Sequence, residues 1–122
     1  MSKYGHYQQQ YYGNKIIFPK ESFLLAGISF YTNNLTDINL KSKLIMKEEP
    51  DNKYDKQAIQ ILFNDKIIGY VPNKENIKEL CKENIKEELC IINIKRTNGN
   101  YGLRVIPKPY FKEEYHNLAI FN

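Results

Sequence analysis

The chain has 122 residues, 42% hydrophobic and 26% charged, the balance of one globular domain with a core that needs no disulfide or metal staple. No stretch approaches the ~18 consecutive apolar residues that cross a membrane, and the polar, aromatic opening Met1–Gln10 does not read as a secretory signal. The net charge of +4, carried by 16 Lys and 2 Arg, permits nucleic-acid binding without requiring it.

Residues 1–20 form a distinct arm with four tyrosines (4, 7, 11 and 12), a Gln8–Gln10 run, and lysines without an acidic residue. Such a segment suits either a basic, aromatic wrap for nucleic acid or a poorly ordered terminus. Ten tyrosines in all are a reserve for base stacking, or filler for core and interface. From Phe23 to Tyr31 an apolar run predicts a buried strand, with Gly27 where another backbone approaches. Lys43–Met46 is a second strand. Glu48–Asp55 clusters Pro, Asp and Asn and must be a loop. Ala58–Phe63 is a third strand with Ile59, Ile61 and Phe63 on one face. Asn64–Asp65 turns it into a fourth, Lys66–Val71.

Pro72 ends that strand, and Asn73 is placed to cap a helix from Lys74 to about Leu89. Lysines 74, 78, 82 and 86 form one stripe and Glu75, Glu79, Glu83 and Glu87 the next, which predicts a solvated face neutralised by i, i+3 pairs such as Glu75–Lys78. On one helix Cys81 and Cys90 would be ~13 Å apart, beyond disulfide reach, whereas if Cys90 starts a strand a bridge stays open but has no positive support. Both thiols are expected reduced and the protein intracellular. Cys90–Arg96 and Asn100–Ile106 flank Asn98-Gly99, the strongest short hairpin signal. Ile92 and Ile94 are expected to face the core with Leu103 and Val105. Pro107 and Pro109 close the last strand. The expected fold is mainly β, a small OB-like barrel of about six strands with one principal helix. The arm spans residues 1–20, the domain 21–112, and a tail 113–122.

Catalytic chemistry has little support. His6 and His116 lie in terminal segments without metal-ligand spacing, and no Gly-rich phosphate loop or nucleophile elbow occurs. No cofactor and no metal are expected. Glu48, Glu49, Asp51 and Asp55 are numerous enough for a Mg²⁺ nuclease, but acidic loop residues serve more often as turn formers and caps.

The informative stretch runs from Glu49 to Tyr70. It reads Glu49-Pro50-Asp51-Asn52-Lys53-Tyr54-Asp55-Lys56-Gln57-Ala58-Ile59, then Ile68-Gly69-Tyr70-Val71-Pro72, with Ala26-Gly27-Ile28-Ser29-Phe30-Tyr31 upstream. In order and spacing this resembles the HIRAN domain over roughly residues 23–90. The resemblance implies an OB-like module that captures the 3′ end of single-stranded DNA, found alone or joined to helicase-like fork-remodelling ATPases. It implies Asp55 as acceptor for a terminal 3′-hydroxyl, and Tyr54 and Phe30 as stacking faces beside Tyr31. Asn52 then contacts the backbone or shapes the loop, and Tyr70 and Asn73 stand where phosphate contacts fall, with Lys74 next to Asn73, where the family has a basic residue. Tyr101 matches a third aromatic. Simpler roles exist for each: Asp55 as a cap for Lys56–Ala58, Asn52 as a turn residue, and the aromatics as packing groups. The chain also departs from DNA-binding members, with Ser29 where they carry Arg and Phe30 where they carry Tyr. Loss of a charged contact there weakens affinity and flattens its salt dependence.

Three functions are weighed, the first of them the one that the resemblance implies. The first is a non-catalytic module for single-stranded DNA ends in repair or fork processing, monomeric and without membrane contact. The second is a protein-interaction or regulatory module of viral or mobile-element origin, with a helicase/ATPase or host protein as partner. The third is a small metal-dependent nuclease.

Overall fold

The computed structural model describes the backbone of residues 11–12 and 15–121, and the side chains of residues 17–117. The expected wrap by Tyr4 and Tyr7 lies outside the described residues. β1 (Tyr11–Tyr12) and β2 (Lys15–Ile16) form a two-residue antiparallel ladder. The rest is a six-stranded antiparallel sheet of β3 (Phe23–Leu24), β4 (Lys43–Glu48), β5 (Ile59–Phe63), β6 (Lys66–Tyr70), β7 (Leu89–Thr97) and β8 (Asn100–Pro107), in the order β3-β8-β7-β4-β5-β6. Beyond β3 the chain turns to the opposite edge, where Ala26 and Tyr70 exchange two backbone hydrogen bonds of 2.8 and 2.9 Å. That bridge joins β6 to the segment already held by β8, so the sheet closes on itself as a small OB-like barrel.

Turn chemistry sets the hairpins. Asn64 and Asp65 have φ of 51° and 66°, and Asn98 and Gly99 have φ of 51° and 82°. Both pairs thus adopt the left-handed conformation of a type I′ turn. The barrel interior is filled by alternating residues: Leu44 and Met46 from β4, Ile59, Ile61 and Phe63 from β5, Leu103 and Val105 from β8. α1 (Glu75–Glu83) lays Ile77 and Cys81 on the same core.

Several expectations need correcting. The apolar run Phe23–Tyr31 is not one strand. Gly27, at φ 71°, breaks it after Ala26, and Ile28–Leu35 winds into a 3-10 segment that puts Phe30 and Tyr31 outside the sheet. The close backbone approach falls at Gly69 instead: a Cβ there would lie 2.9 Å from the Ala26 carbonyl oxygen, whereas at Gly27 nothing comes nearer than 4.0 Å. The helix stops at Asn84, whose side-chain amide donates to the Leu80 carbonyl at 2.8 Å. Its N-cap is Lys74, without a side-chain cap bond, rather than Asn73. Ile92 does not share a face with Leu103. A bulge between Ile91 and Asn93 adds one residue to β7, so Ile94 packs on the barrel core while Ile92 turns to a second cluster with Cys90, Ile106 and Tyr115. Phe18 and Phe111 cover that outer cluster, and His116 Nε2 lies 2.8 Å from the Ile91 carbonyl oxygen.

Candidate nucleic-acid interface

The barrel closure brings three segments together: the turn at Ala26–Tyr31, the loop between β4 and β5, and the end of β6. They enclose an open groove of about 480 Å³. The loop is pinned at its base by the Glu49 amide donating to the Ala58 carbonyl at 2.9 Å. Asn52 Oδ1 accepts from the amides of Tyr54 and Asp55, both at 2.9 Å, and its Nδ2 donates to Glu49 Oε1 at 2.8 Å. The same Glu49 oxygen accepts from the Tyr70 hydroxyl at 2.8 Å. Asn52 therefore fixes the backbone from which Tyr54 projects, and Glu49 ties that loop to β6. On the facing segment, Asn34 Nδ2 donates to the Ile67 carbonyl at 2.8 Å and holds the 3-10 segment against β6. The Tyr31 and Tyr70 rings lie 6.5 Å apart at 48°.

Two aromatics stand out from this rigid frame. Tyr54 is 97% exposed and Phe30 85%. Neither packs in the core, and each displays a large apolar face to water. Asp55 lies beside Tyr54 with both oxygens engaged. Oδ1 accepts from the Gln57 amide at 2.9 Å, and Oδ2 is in contact with Lys78 Nζ. A carboxylate offers about four acceptor positions, so capacity for a further donor remains. The Lys78 ammonium, followed by the Gln57 amide, holds the Asp55 carboxyl below its ordinary value. Asn52, Tyr70 and Gln60 do the same for Glu49. Burial and the Glu49 carboxylate raise Tyr70, so its hydroxyl keeps its proton.

Of the nine residues singled out from the sequence, Phe30, Tyr31, Asn52, Tyr54, Asp55, Tyr70 and Asn73 line this one groove. Lys74 lines an adjoining cavity. Tyr101 is elsewhere: it packs against the barrel core from β8, with the Arg96 guanidinium 5.0 Å from its ring centre. Tyr70 has its hydroxyl committed to Glu49, which makes it a scaffold for the loop as much as a surface group. Asn52 and Asp55 do fill their simpler turn roles, and they do so at the groove wall.

Two contributors were assigned other roles by sequence reasoning. Glu49, in the sequence a metal ligand or turn former of the loop, clasps Asn52 and Tyr70. Lys78 was placed on a solvated stripe, yet it is 7% exposed and paired with Asp55. None of the expected i, i+3 pairs is among the ion pairs of the described residues. Lys82 reaches the loop as well, donating to Gln57 Oε1 at 3.1 Å. The signal for Lys78 was its spacing, since residues 78, 81 and 85 share a helix face. Among the described residues no group of three His, Cys, Asp or Glu is placed to hold a metal.

A search of curated proteins finds no match. A crystal structure of a protein from Lactobacillus plantarum is similar in fold, with a TM-score of 0.50 and 16% identity over 71% of this chain and 90% of that one. The family model of the HIRAN domain matches residues 22–99, well over half of the sequence, and includes all three segments that enclose the groove. The chain belongs to the HIRAN domain family.

Proposed function

We propose that this protein is a non-catalytic module that captures the end of single-stranded DNA, with preference for a free 3′-hydroxyl. Its family is one of nucleic-acid-binding modules, which supports the class of ligand. The observation that carries the reading further is the pairing of two water-exposed aromatics, Phe30 and Tyr54, with an ionised acceptor, Asp55, around one groove. Exposed rings on a pinned frame are stacking platforms for unpaired bases. An anionic acceptor beside them suits a donor at the end of the strand, and a terminal hydroxyl is such a donor. A terminal phosphate has no proton to give as a dianion. Buried, unbridged thiols at Cys81 and Cys90 fit action inside the cell, and the proposed setting there, by the family resemblance, is repair or fork processing beside a separate ATPase.

The test is fluorescence anisotropy with a 5′-labelled single strand ending in either a 3′-hydroxyl or a 3′-phosphate, at two salt concentrations. Tighter binding of the hydroxyl form is expected. Equal binding of both forms would reduce the protein to a general single-strand binder. Absence of binding at low salt would remove the DNA reading.

A further inference from the structure

A cavity of about 390 Å³ adjoins the groove at Ala26, which lines both, and Lys74 of this cavity directly follows Asn73 of the groove. Its polar lining comes from Lys20, Ser22, Lys74, Asn76 and Arg104, without an acidic residue. Arg104 is half-buried on β8, where it pairs with Leu24 of β3. Its guanidinium lies 4.5 Å from the centre of the Phe18 ring and donates to Ser22 Oγ at 3.2 Å. The Ser22 hydroxyl in turn donates to the Pro19 carbonyl at 2.6 Å. The ion pairs among the described residues are Lys78–Asp55 and Lys108–Glu88, so Arg104 has no carboxylate partner there.

A half-buried cation loses part of its hydration and gains from a counter-charge. Here a guanidinium is oriented by a ring on one face and a hydroxyl at one N–H, with most of its five donors left for something else. Its planar fork fits a phosphate, and Lys20 and Lys74 add charge of the same sign at the same cavity. We infer that this cavity binds a backbone phosphate of the strand whose end occupies the groove, with Arg104, Lys20 and Lys74 as its ligands. The inference rests on the end-capture reading and extends it by giving the strand a path past Ala26.

The experiment is a titration of a ten-nucleotide 3′-hydroxyl strand over a series of salt concentrations. It compares wild type with Arg104→Gln, Lys20→Gln, Lys66→Gln and Tyr54→Ala, each checked for folding by circular dichroism. On single strands each neutralised phosphate contributes about 0.7 to the slope of log K against log salt. Because Arg104 and the exposed Lys20 share one phosphate, Arg104→Gln and Lys20→Gln should each lower the slope by part of that amount, and by no more than about 0.7 together, and each should weaken binding at low salt. Lys66→Gln, which removes a charge from the Asn64–Asp65 turn, should leave the slope unchanged. Tyr54→Ala should weaken binding at an unchanged slope, because it removes no charge. Unaltered slopes in Arg104→Gln and Lys20→Gln, with Tyr54→Ala still weakened, would overturn the phosphate site and leave the groove standing. An equal drop in Lys66→Gln would reduce the effect to overall charge and overturn it too. If Arg104→Gln does not fold, Lys20→Gln decides alone. Wild type that binds no DNA would end both readings.

Discussion

Gly69→Ala tests whether the barrel closure builds the groove. A methyl at this position meets the Ala26 carbonyl oxygen at 2.9 Å and Leu25 Cδ2 at 3.1 Å. The oxygen belongs to backbone that accepts the 2.9 Å hydrogen bond from the Tyr70 amide, so relief means opening the bridge that closes the barrel. Overpacking of this kind costs about 1–3 kcal/mol, while the reduced freedom of the unfolded chain returns about 0.4–1 kcal/mol. A net loss of about 1.5 kcal/mol is expected, or about 6 °C in Tm for a domain of this size. Gly102→Ala is the control. Its methyl would meet only Lys95 Cβ at 3.9 Å, an ordinary contact, so that variant should be neutral or slightly stabilised. Urea denaturation followed by circular dichroism measures both. Anisotropy with a 3′-hydroxyl strand then shows whether Gly69→Ala loses affinity out of proportion to stability, since Ala26, Tyr31 and Tyr70 all line the groove. Equal stability of the two alanine variants would refute the claim that close approach at Gly69 holds the closure.

Phe30→Ala and Tyr54→Ala should leave Tm unchanged within error, because both rings are exposed, while each weakens single-strand binding about 5- to 100-fold. A fall in Tm with unchanged binding would assign them to packing. Glu49 has a folded pKa below its ordinary 4.5, so the stability it supplies is present above that value and fades as pH falls through the lower folded value. Urea midpoints taken between pH 5.5 and pH 3 should therefore decline less steeply in Glu49→Gln than in wild type; parallel curves would show that the clasp on Asn52 and Tyr70 is not charge-dependent. Burial pushes the Cys81 thiol up to about 12. At pH 8.5 it should resist iodoacetamide in the native protein and react once the chain is unfolded in urea, as mass spectrometry of the Cys81 peptide will report.

Much of the β framework was readable because local chemistry and tertiary demand coincide. Asn98-Gly99 and Asn64-Asp65 need positive φ, and the flanking alternation of Ile59, Ile61 and Phe63 already names the buried face. The loop from Glu49 to Asp55 was readable as a constellation, and its Asn52, Tyr54 and Asp55 line one groove. Three features were hidden for physical reasons. The run Phe23–Tyr31 is apolar throughout, and only the conformation of Gly27 shows that its second half leaves the sheet. A single inserted residue near Ile92 exchanges inner and outer faces along β7, which alternation counted from one end cannot reveal. Lys78 sits in a regular charge stripe whose members look alike, and its burial is decided by a carboxylate 23 residues away in sequence.

That carboxylate–ammonium contact bears on how the groove would discriminate strand ends under the proposed function. An unpaired Asp55 would repel a terminal phosphate by charge alone. With Lys78 against it, the pair carries almost no net charge, and repulsion of an incoming phosphate is largely offset. In the proposed end capture, preference for a 3′-hydroxyl would then rest on hydrogen-bond polarity: the hydroxyl would supply a donor to the remaining acceptor capacity of Asp55, and the phosphate would supply none. Lys78→Met keeps the length and apolar stem of the side chain while removing the ammonium. It should leave Asp55 ionised at neutral pH through the Gln57 amide and solvent, since the Asp55 side chain is 36% exposed. The ratio of 3′-hydroxyl to 3′-phosphate affinity should therefore rise several-fold, mainly through weaker phosphate binding. Measured by anisotropy at low salt with both strands, a fall in that ratio would mean that Asp55 does not read the strand end and that Lys78, rather than its partner, sets the preference.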